Sequence, residues 1–400
     1  MHLSSVQSTE TFITLLHPRF PNHQVRIKKS DFCDPTVNVY TGYLDVDQGA
    51  KHLFFYFFES RRNPDEDDVM LWINGGPGCS SSLGLLMELG PSKIDMTNET
   101  NIFFLDQPVG VGFSYADYGE VIETTEDAAK NGRRLHLAGE SYGGRHLPVF
   151  ASEIVDQNAI AKAEGRDTLN LKSVLIGNGA TDISTFYSGR VDVECGTASL
   201  ETPVRSISAC VRMRQTLPRC TKALQDSCID TFDEINCNAA NLFCNSELSV
   251  GYLATGLNPY DMTKTCEAGL EGLCYEEDTA IEEYLNQPSV RSLLGVTAPQ
   301  NFSSCSDDIG IRFESHLDLL AQPTQQYVAE LLARDVRVLI YVGTYDWICN
   351  RTSNRIAAGI TKSAGQLTFA SVYGAGYMVP FDKPAEALKM VSRWISEEPL

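Results

Sequence analysis

Leu135-His136-Leu137-Ala138-Gly139-Glu140-Ser141-Tyr142-Gly143-Gly144 is the stretch on which the fold turns. The apolar run 135–138 ends at glycine and reads as a short buried strand, and the segment around 147–156 has a helical pattern. Between them lies G-x-S-x-G, the pattern of a sharp strand-to-helix elbow that carries a nucleophile. Glycine is needed at both flanks because side chains there would collide with neighbouring backbone. The turn lifts the Ser141 hydroxyl clear of the sheet. A chance glycine-serine turn is the bland alternative, and the strand before it and the helix after it weigh against that.

Working outward, similar short apolar runs occur at 69–73, 102–105, 173–176, 336–342 and 367–373. Such runs fit strands of a mostly parallel sheet covered by crossover helices. Helical patterns at 80–89, 324–333 and 384–395, the last with proline just inside its start, supply the covering layers. The expected fold is α/β, with a mostly parallel central sheet and helices on both faces. Between 183 and 318 the buried-strand runs stop, cysteine and asparagine increase, and a short amphipathic helix is expected at 279–285. The expected division is therefore a loosely held extension at 1–30, a core of 31–182 and 319–400, and a cysteine-rich helical insertion, or lid, at 183–318. His17-Pro18 and Phe20-Pro21 mark breaks in the extension.

At roughly 150 residues per domain, a chain of 400 residues has ample length to bury a core. Its formal charge of −20 would repel nucleic acid and anionic lipid, so neither is an expected partner. The densest apolar run, 53–58, falls far short of the roughly 18 residues a membrane-spanning helix needs. Met1 to Glu10 lacks the basic start and apolar stretch of a secretory signal. Twelve cysteines nonetheless point to an oxidising route, and eight of them crowd between Cys195 and Cys274. With no C-x-x-C pair and almost no histidine there, a disulfide framework is favoured over structural zinc, and no metal or cofactor is expected. The sequons at Asn98, Asn301 and Asn350 would be usable on the same route.

A serine hydroxyl is a poor nucleophile until a base takes its proton, so an acid and an imidazole should follow in the order Ser, Asp, His. Asp346, just past the run 336–342, stands where an orienting carboxylate belongs; alone it would read as a loop aspartate. After the last run the sequence is Gly374-Ala375-Gly376-Tyr377-Met378-Val379-Pro380, with tyrosine where histidine is expected. The early loop Asn74-Gly75-Gly76-Pro77-Gly78-Cys79 suits an oxyanion hole built from backbone N–H groups of Gly76 and of Tyr142, the residue after the nucleophile. A phosphate loop is the competing reading, but the lysine and hydroxyl residue of a P-loop are missing.

These blocks, with Phe104-Leu105-Asp106-Gln107-Pro108-Val109-Gly110-Val111-Gly112-Phe113-Ser114-Tyr115 and Gly177-Asn178-Gly179, resemble the serine carboxypeptidases from about Asp31 to the carboxyl end. The cysteine-rich stretch, including Tyr260-Asp261-Met262, looks most like the vacuolar carboxypeptidase Y type of fungi. The resemblance implies an α/β-hydrolase fold, no cofactor, a vacuolar or secreted location, and release of single residues from the carboxyl ends of peptides or proteins. It makes Ser141 the nucleophile and Asp346 the orienting acid. It places the substrate carboxylate on Asn74, Gly75, Glu88 and Glu140, and the side-chain pockets on Tyr142, Tyr260, Tyr275 and Met378, with Cys349 a free thiol beside them. It pairs Cys79 with Cys305, Cys195 with Cys210, Cys220 with Cys244, Cys228 with Cys237 and Cys266 with Cys274, leaving Cys33 over.

Two glutamates facing an anionic peptide end would repel it unless one stays protonated, so acid conditions should favour binding. Glu88 would otherwise be a solvated helix residue, and Glu140 the variable position of the elbow. Tyr377 occupies the family's histidine position, and a phenol of pKa near 10 is a far weaker proton acceptor. Activity is therefore expected to be reduced. The alternatives are an inactive relative that binds peptide carboxyl ends or a partner, or an acyltransferase or esterase on the same scaffold. His146 and His136 read as packing histidines rather than substitute bases. Stretches at 95–100, 115–135 and 354–367 are shorter than the family pattern, and the crossover helix shrinks to about 123–133.

Overall fold

The computed structural model describes residues 6, 10–16, 22–90, 96–117, 134–267, 269, 273–321, 324–350 and 361–400. The chain forms two units. One comprises Met1–Gly139, Glu153–Lys172 and Glu277–Arg312; the other comprises Glu140–Ser152, Ser173–Glu276 and Phe313–Leu400. Residues 183–318 thus contribute to both.

The first unit is built on β1 (Ile13–Leu16), β2 (Gln24–Ser30), β3 (Val39–Val46), β4 (Lys51–Phe58), β5 (Val69–Ile73), β6 (Asn101–Leu105), β7 (Tyr115–Ala116) and β8 (Arg134–Glu140). Their order is β1-β2-β3-β4-β6-β5-β8, with β7 on β4. β5 runs parallel to β6 and β8 as expected, whereas β1 to β4 form an antiparallel meander. The run Leu53 to Phe58 is buried in β4, where Phe55 stacks on Phe103 at 4.8 Å and Phe54 meets Phe113 edge-on at 5.3 Å.

Part of the loosely held extension expected at 1–30 is held in the sheet, as β1 and β2. All seven residues of β2 pair with β3, from Gln24 opposite Asp45 to Ser30 opposite Val39. Its charges hid the strand, and each has a partner. Arg26 grips Asp45 through Nε at 2.7 Å and Nη2 at 2.8 Å and lies over the Tyr43 ring. Lys28 donates to the Ser292 carbonyl at 3.1 Å and Lys29 to Asn38 at 2.8 Å. A buried or half-buried cation is tolerable only when its donors are used in this way.

In the second unit, β9 (Asn170–Gly177), β10 (Arg337–Gly343) and β12 (Leu367–Val372) are parallel neighbours, and β11 (Thr361–Ala364) closes the edge antiparallel to β12. Helix α1 (Gly143–Ala163) follows the elbow. Helices α2 (Ile183–Cys195), α3 (Ile207–Leu224) and α4 (Glu234–Leu248) begin at the N-caps Asp182, Ser206 and Asp233, whose side chains each accept a backbone N–H. Tyr187, Val191, Met213, Leu224 and Leu248 bury against one another between these helices.

All five disulfides implied by the family pattern are present, leaving Cys33 and Cys349 as free thiols. The helix expected at 80–89 is present from residue 82, and its last six residues, Gly84–Leu89, are π-helical. The crossover helix expected at 123–133 lies outside the described residues. No described helix is long and apolar enough to cross a membrane.

Candidate active site

Ser141 stands at the elbow with φ of +55°, the left-handed region that side-chain-bearing residues rarely adopt. The loop after β9 holds it there. Its N–H reaches the carbonyls of Gly177 and Asn178 at 3.0 and 3.1 Å, and its carbonyl accepts from Gly144 and Ala180, both at 2.9 Å. A Cβ on Gly144 would come within 2.9 Å of the Gly179 Cα, so glycine there is a matter of close approach.

Asp346 lies in the turn beyond β10 and is fully buried. Its Oδ2 accepts from Asn178 Nδ2 at 2.8 Å and Cys349 N–H at 3.1 Å, and its Oδ1 from Ile348 N–H at 2.9 Å. Asn178, quoted in the sequence only as part of a motif, thus both supports Ser141 and orients Asp346. Burial pushes the Asp346 carboxyl up to about 7, against the pull of these bonds and of the Arg190 charge.

Tyr377 is drawn in by its N–H bond to the Tyr260 carbonyl at 2.8 Å, and its ring meets the Tyr260 ring edge-on at 5.2 Å. Burial drives its phenol well above 10. Ser141 is the side-chain partner that pulls both this phenol and the buried Cys349 thiol back down. Ser141 therefore neighbours Tyr377 and Cys349, and Asp346 holds the Cys349 N–H. Tyr275 packs 6.1 Å from Tyr260 and 5.6 Å from Phe381, and Met378 is buried beside Tyr377 in sequence. Tyr142 directly precedes α1, where the first N–H groups of a helix have no intrahelical acceptor. Its hydroxyl donates to Asp318 at 2.5 Å, which also takes Arg145 Nε at 3.1 Å. His146 is enclosed by Tyr142, Phe150 and Phe313, and burial lowers it to about 4, so it is the packing histidine expected. His136 pairs with Asp68 at 3.1 Å.

In the first unit, Asn74 Oδ1 accepts from Trp72 Nε1 at 2.7 Å and Gly84 N–H at 3.0 Å, fixing which way its amide faces. Gly75 accepts the Cys79 N–H at 3.1 Å, closing the loop that holds Gly76. Glu88 and Glu140 are both buried, in the π-helical segment and at the end of β8.

The sequence model of the family described as serine carboxypeptidase matches residues 30–357 and 353–397, nearly the whole chain. The chain belongs to the serine carboxypeptidase family. Carboxypeptidase Y of Candida albicans is 38% identical over 431 aligned positions, covering 94% of this chain and 77% of that protein. Carboxypeptidase Y of Saccharomyces cerevisiae is 37% identical, covering 94% of this chain and 79% of that one. Those alignments exceed this chain's own 400 residues, so these carboxypeptidases carry residues opposite gaps here. Among solved structures, the prohormone-processing carboxypeptidase Kex1 of Saccharomyces cerevisiae superposes with a TM-score of 0.72 at 22% identity, covering 92% of this chain and 95% of that one, a likeness of fold.

Near Asp346 the chain buries a cation that the sequence reading missed, Arg190. Arg190 lies with its guanidinium 4.1 Å from the Phe186 and Trp347 rings and donates to the Ser249 hydroxyl. Glu194 takes the Trp347 Nε1–H at 2.9 Å, and burial pushes its carboxyl up to about 7. Phe186, Arg190 and Glu194 recur at four-residue spacing on one face of α2, a signal the sequence did contain.

A carboxyl whose native pKa is raised favours the fold below its unfolded pKa near 4. That advantage fades as pH climbs from about 4 through 7 for Asp346. Calorimetric melting should therefore show the native chain losing stability relative to Asp346→Asn over that interval, by on the order of a few kcal/mol. The lost acceptor adds only a constant offset, so a flat difference would refute the assignment.

Proposed function

We propose that this chain is a serine carboxypeptidase that releases carboxyl-terminal residues from peptides through a Ser141 acyl-enzyme, with turnover held low by Tyr377. The contacts of Ser141 with Tyr377 and Cys349, together with the Asp346 carboxylate that holds the Cys349 N–H, support this reading. Ser141 is the nucleophile and Asp346 the orienting acid. A buried phenol that stays protonated cannot accept the serine proton, so the missing piece is the base. By motif position, Gly76 and Tyr142 donate backbone N–H groups to the tetrahedral oxyanion, and Asn74, Gly75, Glu88 and Glu140 receive the substrate carboxylate. Tyr260, Tyr275, Met378 and Cys349 border the substrate side chains.

The test is release of the terminal residue from a blocked dipeptide at acid pH by the native chain and by Ser141→Ala. Native release above the Ser141→Ala background supports the reading. Equal rates favour the second reading, a binder of peptide carboxyl ends, which the protonated Tyr377 beside Ser141 recommends. Calorimetry with a peptide and its carboxyl-amidated form then decides it, since equal affinity for both would exclude a carboxylate site.

The disulfides suit an oxidising secretory route, and a vacuolar destination follows from kinship. On that route the three sequons are not equivalent. Asn98 and Asn301 are exposed, whereas Asn350 is fully buried and donates to the Trp347 carbonyl at 3.2 Å. Glycopeptide mapping of chain secreted from a eukaryotic host should find sugar at the first two and none at Asn350; glycan on Asn350 in folded chain would contradict this placement.

A further inference from the structure

Residue 377 is aimed by the backbone around it, and four hydrogen bonds set that backbone. Before it, the Ala375 carbonyl accepts the Tyr345 N–H at 2.8 Å, and the Gly376 N–H donates to Asp382 Oδ2 at 2.7 Å. At residue 377 itself, the N–H donates to the Tyr260 carbonyl at 2.8 Å and the carbonyl accepts the Val379 N–H at 3.1 Å. Three of these four join backbone to backbone and would form with any side chain. The fourth depends on Asp382, which ends the one-turn helix Val379–Asp382 and reaches back over six residues. The approach is close. A Cβ on Gly376 would fall 2.5 Å from the Tyr260 carbonyl oxygen and 3.1 Å from Asp382 Oδ2, so glycine is required there.

Asp382 is itself anchored. Lys264 Nζ lies 2.8 Å from Asp261 Oδ2 and 3.6 Å from Asp382 Oδ1, so one ammonium faces two carboxylates. The same stretch of chain supports the turn of Asp346. The Pro259 carbonyl takes the N–H groups of Trp347 and Ile348 at 3.0 and 3.1 Å, and the Met262 N–H donates to the Tyr345 carbonyl at 2.9 Å. Segment 259–264 therefore holds the turn of Asp346 and, through Lys264 and Asp382, the turn of residue 377. Lys264 is exposed, and an ion pair so placed contributes little. The charge-assisted bond from the buried Gly376 N–H is the stronger restraint.

We infer that Asp382 is a positioning residue: its carboxylate fixes the Gly376 amide and so aims the side chain of residue 377 at Ser141. The inference rests on the proposed role of position 377 beside Ser141. Displacing a group by about 1 Å from its reacting partner costs on the order of a hundredfold in rate. Asp382 therefore matters in proportion to the chemistry that residue 377 performs, which is little for a phenol and large for an imidazole.

A double-variant cycle on the full chain measures this by release of the terminal residue from a blocked dipeptide. Asp382→Ala should lower kcat of Tyr377→His by about a hundredfold with KM within a few-fold, and that loss should exceed its loss in the native chain by about tenfold or more. A residue that merely holds the fold together lowers both alike, so equal losses overturn the inference. The second readout needs no turnover. With a fluorotyrosine at 377, the native chain should give one fluorine resonance shifted from that of the free amino acid, and Asp382→Ala should move or split it. Asp382→Asn keeps an acceptor for the Gly376 N–H and should restore it. Asp382→Ser, too short to reach that N–H, replaces Asp382→Ala if the latter fails to fold. An unmoved resonance in the folded Asp382→Ala or Asp382→Ser chain, or one displaced equally in Asp382→Asn, overturns the inference. If Tyr377→His gains no activity, the carboxypeptidase reading fails, and the fluorine resonance still decides the role of Asp382.

Discussion

Tyr377→His is expected to raise kcat/KM for release of a carboxyl-terminal residue at acid pH by about 10²- to 10⁴-fold, the range a positioned general base contributes. The backbone is already prepared. The N–H of residue 377 is pinned to the Tyr260 carbonyl and its own carbonyl takes the Val379 N–H at 3.1 Å, so the side chain leaves from a fixed point beside Ser141 and Cys349. Asp346 is held by three N–H donors with its carboxyl ready to order an imidazole tautomer. Tyr377→Phe is the matching control. A phenol driven well above 10 stays protonated and is no general base, so removing its hydroxyl should leave the residual rate within a few-fold of native. If imidazole at 377 brings no gain while the variant melts like the native chain, Ser141 is not the nucleophile of this site.

Replacing both Cys79 and Cys305 by serine should cost the most stability of any pair, about 5 kcal/mol in the chain-entropy picture. The bond closes a sequence separation of 226, the longest of the five, where Cys220–Cys244 closes 24 and Cys228–Cys237 closes 9. It also anchors the 74–79 loop. Ser80 N–H meets the Ser304 carbonyl at 2.8 Å and Ser306 N–H meets the Gly78 carbonyl at 2.8 Å, so the disulfide is the centre of a small ladder. Denaturant titration of the double variant should shift the midpoint well below that of a Cys266–Cys274 double variant, whose bond spans only 8. Equal shifts would place the stabilisation in the native contacts rather than in the unfolded chain.

The parallel strands were legible because each is a short apolar run closed by glycine, a pattern that neighbours in sequence carry by themselves. β5, β6, β8, β9, β10 and β12 all lie where those runs predicted. β2 was not legible, because Arg26, Lys28 and Lys29 make it look like a solvated tail, and the groups that take their hydrogen bonds sit on β3, just before it and at residue 292. Within the site, Ser141 announced itself through its flanking glycines, and Tyr377 through an expected histidine that was missing. Asn178 was visible only as part of Gly177-Asn178-Gly179, since nothing in that triplet says its amide will meet Asp346. Arg190 looked like an ordinary polar residue of a helix until Phe186 and Trp347 closed over it.

By itself, then, the amino-acid order settled the α/β class, the elbow at Ser141, the family and, through it, the cysteine pairing. Those properties rest on spacing between near neighbours and on motif identity. Folding alone decided that the amino-terminal residues join a sheet, that Asp346 is desolvated with Arg190 as its buried neighbour, and that Asp382 reaches back to the Gly376 amide. Burial and charge pairing are properties of what surrounds a group in space, and segments far apart in the chain supply those surroundings.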